Sequence, residues 1–322
     1  MIPTGLTERD QKLLWHPYTQ HKTAAPTIAI LRGEGALLWD ENNKEYIDAI
    51  ASWWVNPYGH SNQFIADAIY KQLTTLEHVL FGGFTHEPAV LLAEKLMEIL
   101  PNNQKKLFFS DNGSTSVEVA IKVALQYFFN KKEKRTTIIA FENAFHGDTF
   151  AAMAASGISF FTDAFQGMFI DVIRIPVPIK GKEEISYQAL RNAINTHNVA
   201  GFIFEPLVQG AAGMVMYEAE ALDNLIAICK ENQVTTIADE VMTGFGKTGK
   251  TFACDFLQKQ PDMMCLSKAL TGGTIPMAIT TFTQDLFDAF YDDDVNKALF
   301  PGHTFTANPT GCAAALASIT LL

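Results

Sequence analysis

The sequence predicts an α/β fold in which helices cover both faces of a mostly parallel central sheet. Short apolar runs of strand length alternate along the chain with segments that repeat apolar residues at helical period, and this alternation is typical of parallel sheets covered on both faces. The chain has 322 residues, 48% of them apolar, which suffices for one large domain or two.

The first predicted elements are a hairpin and a helix. Residues 36–48 read ALLWDENNKEYID, in which two alternating apolar runs flank Asn42 and Asn43, residues that tolerate the left-handed backbone of a tight turn. Residues 88–100, PAVLLAEKLMEIL, carry apolar residues at helical period after a proline in the first turn. We assign the hairpin to a smaller N-terminal unit, residues 1–55.

Strands and helices alternate in the remaining residues, 56–322, which we assign to a large domain. The strands are expected in KLFFSD, TTIIAF, VAGFIFEPL, VTTIADEV, PDMMCLSKAL and AITTFT, in that order. The helices are expected in SVEVAIKVALQYFF, DTFAAMAAS and EALDNLIAICKENQ. Residues 156–187 are the most irregular stretch and are predicted to form a surface excursion. The last segment, ANPTGCAAALASITLL, reads as a helix without a stop signal, so further C-terminal sequence is expected.

Charge and composition exclude several classes of function. The formal net charge of −11 argues against a surface for phosphate backbones, so no nucleic-acid partner is expected. We expect a cytoplasmic protein without a membrane span, because the N-terminus lacks the pattern of a signal peptide and no uninterrupted apolar stretch reaches about 18 residues. No metal site or disulfide framework is predicted from the scattered cysteines, which are Cys229, Cys254, Cys265 and Cys312.

Residues 244–251, GFGKTGKT, match the phosphate-binding P-loop pattern G-x-x-x-x-G-K-[ST] letter for letter. In a P-loop the strand runs directly into the first glycine, and a helix opens at the lysine. Here further residues separate the acidic strand end, Asp239 and Glu240, from Gly244, and Pro261 follows soon after the motif. This context favours a glycine-rich surface loop, and a P-loop NTPase is kept as an alternative.

Ligand-binding residue types follow several predicted strands at their carboxyl ends, where open α/β sheets place their sites. After KLFFSD come Asn112, Gly113, Ser114 and Thr115 at a helix start. Free N–H groups, hydroxyls and the helix dipole at that point suit one phosphate, and an ordinary N-cap is the equal alternative.

Other strand ends carry an aromatic ring and acidic side chains. Phe145, His146 and Asp148 follow TTIIAF, and taken alone they are better explained as a core phenylalanine beside a loop histidine. Glu205 follows the next strand, and Asp239 ends VTTIAD. A structural ion pair is the plain alternative for this aspartate.

Lys268 leaves an apolar strand just before Thr271, Gly272 and Gly273. Partial desolvation there lowers the pKa of the amine, which favours Schiff-base chemistry. The usual explanation for a single lysine is a surface side chain whose stem alone is buried.

Together these groups match one ligand, pyridoxal 5′-phosphate. It has an anionic phosphate, a flat ring, a ring nitrogen that needs a carboxylate to stay protonated, and an aldehyde that condenses with lysine. Asp239 and Lys268 are 268 − 239 = 29 residues apart, which is one strand–helix step, so neighbouring strands can present both.

The motifs resemble those of the class III aminotransferases, which are pyridoxal-phosphate-dependent transferases of fold type I. DEVMTGFGKTGK is similar to the family segment DE-x-x-TGFGRTG, with Lys247 where arginine is usual, and LSKALTGG is similar to the lysine motif. WHPYTQ (15–20) with SWW (52–54) resembles members that transfer the amino group of S-adenosylmethionine to 8-amino-7-oxononanoate in biotin biosynthesis. The alternatives are a member acting on a diamine or ω-amino acid, and a cofactor-binding regulator without catalysis.

The resemblance implies a role for each matching residue. Lys268 would form the Schiff base and move the substrate proton, and Asp239 would keep the ring nitrogen protonated. The cofactor is expected to contact Gly113, Ser114, Phe145, His146, Val241 and, from the other subunit of a homodimer, Thr304. The substrates are expected to contact Tyr18, Trp53, Trp54, Phe145, Lys268, Glu205 and Gly302.

The chain also departs from the family pattern. Phe145 stands where tyrosine is usual and lacks its hydroxyl, and Met242 stands where ornithine and aminobutyrate relatives carry glutamine, which disfavours those substrates. Family members are longer, and the missing part would hold most of the small domain and the arginine for the substrate carboxylate. Residues 1–55 would then contribute to the small domain and substrate pocket, and residues 56–322 would form the cofactor-binding domain.

Overall fold

The computed structural model describes residues 5–157 and 162–322, and its main element is a seven-stranded sheet in the order β4-β12-β11-β10-β7-β5-β6. The strands, in chain order, are β1 (Ile30–Glu34), β2 (Leu37–Asp40), β3 (Glu45–Ile47), β4 (Gln104–Ser110), β5 (Thr137–Phe141), β6 (Val172–Ile175), β7 (Val199–Phe204), β8 (Val208–Gln209), β9 (Val215–Met216), β10 (Thr235–Asp239), β11 (Met263–Leu266) and β12 (Ala278–Thr283). Strand β12 runs antiparallel between β11 and β4, and the other pairings are parallel. The predicted mostly parallel sheet is confirmed.

Helices cover both faces of this sheet. The right-handed α-helices of the described residues are, in chain order, α1 (Leu6–Leu13), α2 (Gln63–Leu73), α3 (Glu87–Ile99), α4 (Gly113–Asn130), α5 (Phe150–Ala155), α6 (Glu183–Thr196), α7 (Ala219–Glu231), α8 (Gln284–Asp288) and α9 (Pro309–Leu321). Alternate residues of β5 enter opposite cores: Ile138 joins the core under α4, whereas Ile139 joins the core under α3, α6 and α7. Each fully buried side chain of this size stabilises the fold by about 1.5–3 kcal/mol, so the sheet is fixed from both sides.

The small N-terminal sheet contains the predicted hairpin. Strands β2 and β3 pair antiparallel, and Asn43 takes the predicted left-handed conformation with φ 60°. Strand β1, which the sequence analysis missed, pairs antiparallel with β2 on its other side. The division of the chain into two domains at residue 55 stays a prediction.

The prediction that residues 156–187 form a surface excursion is wrong for the part that forms β6. This strand pairs in parallel with β5, with Val172 opposite Ile138, and forms one edge of the central sheet. The apolar run is short and interrupted by Arg174, whose guanidinium donates to backbone oxygens at Ala154 and Ser156, so its local sequence does not read as a strand. Part of the predicted excursion, residues 158–161, lies outside the described residues.

The glycine loop does not have the backbone of a P-loop. Residues 244–252 run as turns and bends, and the next regular element is a 3-10 helix, Ala253–Phe256. The buried Glu240 carboxylate accepts hydrogen bonds from the backbone N–H groups of Ala253 (3.1 Å) and Cys254 (2.7 Å). The loop is therefore closed onto the end of β10 by a side chain of the protein, and it does not open into a phosphate-binding helix.

The described residues contain no helix with the length and apolarity needed to cross a bilayer. Within the same ranges, no three metal-ligating side chains gather at one point. All four cysteines are free and buried.

Candidate active site

The carboxyl ends of β4, β5, β7, β10 and β11 surround one cavity of about 830 Å³. Its lining contains most of the site residues predicted from the sequence: Tyr18, Trp53, Trp54, Gly113, Ser114, Phe145, His146, Glu205, Asp239, Val241 and Lys268. The volume lies within the usual range for a small-molecule site. Residues far apart in the sequence thus line one cavity.

The cavity meets the first turn of α4. Asn112 is the N-cap: its Oδ1 accepts from Thr115 N (3.0 Å), and its own N–H donates to Thr115 Oγ1 (3.2 Å). This capping box leaves Gly113 and Ser114 to line the cavity at the positive end of an 18-residue helix. Such a helix start favours an anion, so the N-cap explanation and the phosphate explanation apply to different residues of the same turn.

Two glycines at this helix start are packed too closely against their neighbours to carry a side chain. A Cβ on Gly113 would lie 2.6 Å from Val241 Cγ1, and a Cβ on Gly147 would lie 2.3 Å from Ser114 Oγ. Gly147 also has φ 123°, a conformation that other residues rarely adopt. The Ser114 hydroxyl accepts from Thr149 N (2.8 Å), which fixes its position beside the cavity. The residues present therefore fit a phosphate-bearing cofactor.

Replacing Gly147 by alanine is expected to raise the dissociation constant of pyridoxal phosphate about tenfold or more, since the new Cβ displaces Ser114. Titrating the chain with the cofactor and recording its visible absorbance measures this constant. Gly213→Ala is the matched control, because Gly213 also has positive φ (89°) but open space around its Cβ. Equal weakening in both variants would contradict a specific role for the Gly147–Ser114 contact.

Asp239 ends β10 as a buried carboxylate, 5% exposed. Its Oδ2 lies 2.7 Å from His146 Nδ1, and its Oδ1 accepts from Val241 N (3.1 Å). The other ring nitrogen of His146 is buried without a hydrogen-bond partner among the described residues. A carboxylate held in this way is suited to pair with a cationic ring nitrogen, which is the group the predicted cofactor carries.

Lys268 begins a 3-10 helix directly after β11, with a left-handed backbone (φ 51°). Burial lowers the pKa of its amine, and the nearby carboxylates of Asp239 and Glu205 partly oppose that shift. The Nζ atom lies 4.9 Å from the centre of the Trp54 ring. A lysine with a lowered pKa is more often neutral, and the neutral amine is the form that attacks an aldehyde.

Glu205 ties together two loops that line the cavity. Its carboxyl group accepts from the backbone N–H groups of Phe145 (3.1 Å) and Gly210 (2.9 Å). Burial raises the pKa of Glu205 to about 7. The side chain thereby fixes the backbone of Phe145, the ring predicted to stack on the cofactor, opposite Val241.

Aromatic side chains from the N-terminal region close the cavity. The rings of Tyr18 and Trp53 meet edge to face with their centres 5.6 Å apart, and the Tyr18 hydroxyl donates to the Asp148 carboxylate. Asp148 also lines the cavity; the sequence analysis named it at the strand end but gave it no role in binding cofactor or substrate. Its position in FHGDTF, at the end of β5, is the signal that was available.

Trp53 and Trp54 belong to a turn, Ala51–Trp54, whose residues are all left-handed, with φ between 46° and 66°. A left-handed helical conformation costs about 1–2 kcal/mol per residue that carries a Cβ. Strain of this kind is concentrated at functional sites. The turn is therefore a feature that the rest of the structure must hold in place.

Gly302 and Thr304 lie outside this cavity. Both are exposed, and neither is part of the cavity lining. Thr304 was predicted to reach the phosphate of a second subunit and Gly302 to contact the substrate, and both roles stay predictions.

Comparison with known proteins places these features in a family context. Residues 18–322 match the family model described as aminotransferase class-III. The chain is 46% identical over 317 residues to adenosylmethionine-8-amino-7-oxononanoate aminotransferase of Synechococcus elongatus, covering 96% of this chain and 75% of that protein. The crystal structure of the aminotransferase of that name from Methanocaldococcus jannaschii has a TM-score of 0.93 at 36% identity, covering 98% of this chain and 74% of that one. An omega transaminase from Pseudomonas jessenii, solved in complex with PMP, has a TM-score of 0.92 at 29% identity, covering 99% and 74%.

Proposed function

Because the chain belongs to the class III aminotransferase family, we propose that it transfers the amino group of S-adenosylmethionine to 8-amino-7-oxononanoate, giving 7,8-diaminononanoate for biotin biosynthesis. The observation that carries the proposal is the single cavity shared by Gly113, Ser114, Asp239 and Lys268. The similarity to the Synechococcus elongatus protein supports the choice of substrates.

Pyridoxal phosphate, when bound, supplies an aldehyde for the lysine and a ring that accepts electrons from the substrate carbon. The first turn of α4, with Gly113 and Ser114, binds the phosphate. Asp239, oriented by His146, keeps the ring nitrogen protonated. The Lys268 amine would hold the cofactor through its aldehyde and would act as the base that moves a proton at the substrate carbon.

The walls of the cavity control orientation and access of water. Phe145 and Val241 are proposed to lie on opposite faces of the ring, and Phe145 is fixed by Glu205. Tyr18, Trp53 and Trp54 form an aromatic wall suited to an aliphatic chain and to the sulfonium donor. Asp148, beside Tyr18, is the acidic group on this side of the cavity.

The assembly proposed is a cytoplasmic homodimer with shared active sites. Gly302 and Thr304 are exposed, and they lie outside their own cavity, as expected of residues that serve the neighbouring subunit. In this arrangement Thr304 approaches the phosphate and Gly302 approaches the substrate.

Amino donors distinguish the proposed function from its nearest alternative. With the cofactor-loaded protein and 8-amino-7-oxononanoate, we expect 7,8-diaminononanoate to form with S-adenosylmethionine and not with putrescine or 4-aminobutyrate. Product is measured by mass spectrometry, and the donor half-reaction by loss of the visible cofactor band. Turnover with the diamine or the ω-amino acid, and none with S-adenosylmethionine, would instead establish the other class III activity.

A further inference from the structure

The turn Ala51–Trp54 is a left-handed helical turn without glycine. Its φ values are 46°, 48°, 66° and 64°, and it is closed by hydrogen bonds from Trp54 N to Ile50 O (2.8 Å) and from Val55 N to Ala51 O (3.0 Å). Because each Cβ disfavours this conformation, local preference does not account for the turn. The surrounding structure must determine it.

Four side chains next to the turn form a hydrogen-bonded group, which we call the Asp48 clamp: Asp48, Ser52, Asn56 and His60. Asp48 Oδ1 accepts from Ser52 N (3.0 Å), and Oδ2 accepts from Ser52 Oγ (2.7 Å). Oδ2 also lies 2.9 Å from His60 Nε2. The amide of Asn56 donates to His60 Nδ1 (3.1 Å), so this tautomer of His60 carries its proton on Nε2 and donates it to Asp48.

The Asp48 carboxylate stays ionised in this position. Its side chain is only 7% exposed, and this burial acts to raise its pKa. The hydrogen bonds from Ser52 and His60 outweigh that effect and lower the pKa below its usual range. Both carboxylate oxygens of Asp48 thus accept hydrogen bonds. This is the condition for a buried carboxylate to be stable.

The clamp is attached to the rest of the fold on two sides. His60 exchanges backbone hydrogen bonds with Gly35 (2.8 and 3.3 Å), and Asp48 N donates to Ala36 O (2.8 Å), so the small sheet fixes its position. On the other side, a Cβ on Gly273 would lie 2.7 Å from Val55 O. The loop that follows Lys268 therefore rests directly on the end of the turn.

The result is a fixed placement of two rings in the cavity. Trp54 lies with its ring centre 4.9 Å from Lys268 Nζ, so the ring is a direct neighbour of the amine. Trp53 meets Tyr18 at 5.6 Å. If the turn relaxed to right-handed backbone, both rings would leave these positions.

We propose that Asp48 and His60 are positioning residues for the substrate wall. By holding the left-handed turn, they set the positions of Trp53 and Trp54, and through Trp54 they set the position of the Lys268 amine before it reacts. Only the naming of Lys268 as the reactive amine depends on the proposed function.

Fluorine NMR of the chain labelled with 5-fluorotryptophan tests the placement directly. The sequence has four tryptophans, and single Trp→Phe changes assign their signals. In Asp48→Asn and His60→Ala, the Trp53 and Trp54 signals are expected to shift and broaden, whereas those of Trp15 and Trp39 stay in place. His60→Gln, whose amide nitrogen replaces the Nε2 donor, is expected to restore the original positions.

A kinetic measurement separates positioning from general stability. Asp48→Asn is expected to raise the KM for each substrate about tenfold or more, while the cofactor band and its trapping by borohydride are retained. Asp67→Asn is the control, because Asp67 is exposed on α2 and accepts from Gln63, outside the clamp; its signals and kinetics should match the original chain.

Unmoved Trp53 and Trp54 signals in Asp48→Asn and His60→Ala would overturn the proposal. So would a His60→Gln variant as perturbed as His60→Ala. If Asp48→Asn does not fold, Ser52→Ala decides, because it removes a single hydrogen bond from the clamp: a change confined to Trp53 and Trp54 supports the proposal, and none contradicts it. The NMR signals need no amino donor, so failure of the donor assay leaves this test intact.

Discussion

Replacing Lys268 by alanine is expected to abolish amino transfer, with a loss of roughly four orders of magnitude or more in rate. Lys268 has the cavity-facing amine whose pKa burial lowers. In the proposed mechanism it is needed twice, once to bind the aldehyde and once to move the proton. Alanine removes both functions and leaves only the binding of phosphate and ring.

Two measurements check this expectation. Turnover is measured with the amino donor that gives the highest rate. The visible band of the lysine-bound cofactor is recorded before and after treatment with borohydride, which fixes the cofactor covalently only when Lys268 is present. Lys250→Ala is the matched control: this lysine occupies the P-loop position, is exposed, and donates to Asp255 O (2.7 Å). Normal activity in Lys268→Ala would contradict the proposed function. Loss of activity in Lys250→Ala alone would instead favour the P-loop NTPase alternative.

Replacing Asp239 by asparagine is expected to lower kcat by roughly 100- to 1000-fold with little loss of folding stability. The amide has nearly the same shape and still accepts from Val241 N through its oxygen. It carries no negative charge, however, so a protonated ring nitrogen loses its counter-ion in a buried site. The ring then withdraws electrons less effectively from the substrate carbon.

This variant is best studied alongside an exposed carboxylate. Asp288→Asn removes one charge from the surface of α8, and it should leave kcat unchanged. Thermal unfolding of both variants reports whether the fold is retained. Full turnover in a folded Asp239→Asn protein would show that this carboxylate does not hold the ring protonated.

Most of the central sheet was predictable because each of its inner strands is an apolar run of strand length bounded by polar residues. Strand β6 was missed because Arg174 interrupts it and finds its hydrogen-bond partners at Ala154 and Ser156, which no local pattern reveals. Strand β1 was missed for a similar reason: only one of its residues is even half-buried, so its apolar pattern is weak.

The candidate site was predictable to the extent that it depends on strand ends. Parallel strands bring their carboxyl ends to one edge, so the sequence could group Gly113, Asp239 and Lys268. The contact between His146 and Asp239 spans 93 residues and could not be deduced from spacing. The left-handed turn Ala51–Trp54 was also hidden, because its conformation is imposed by tertiary contacts against the preference of its own residues.

The position of β4 in the sheet has a consequence for how the chain is made. This strand delivers the start of α4, yet among the described strands it pairs with β12 alone, with Ser110 opposite Ala278. During synthesis on the ribosome, β4 and the start of α4 are made well before β12, the strand with which β4 pairs. Pairing of strands across such a long sequence separation is slow. We therefore expect a newly made chain to bind pyridoxal phosphate only after translation has passed β12, so that cofactor loading is a late step in the maturation of the protein.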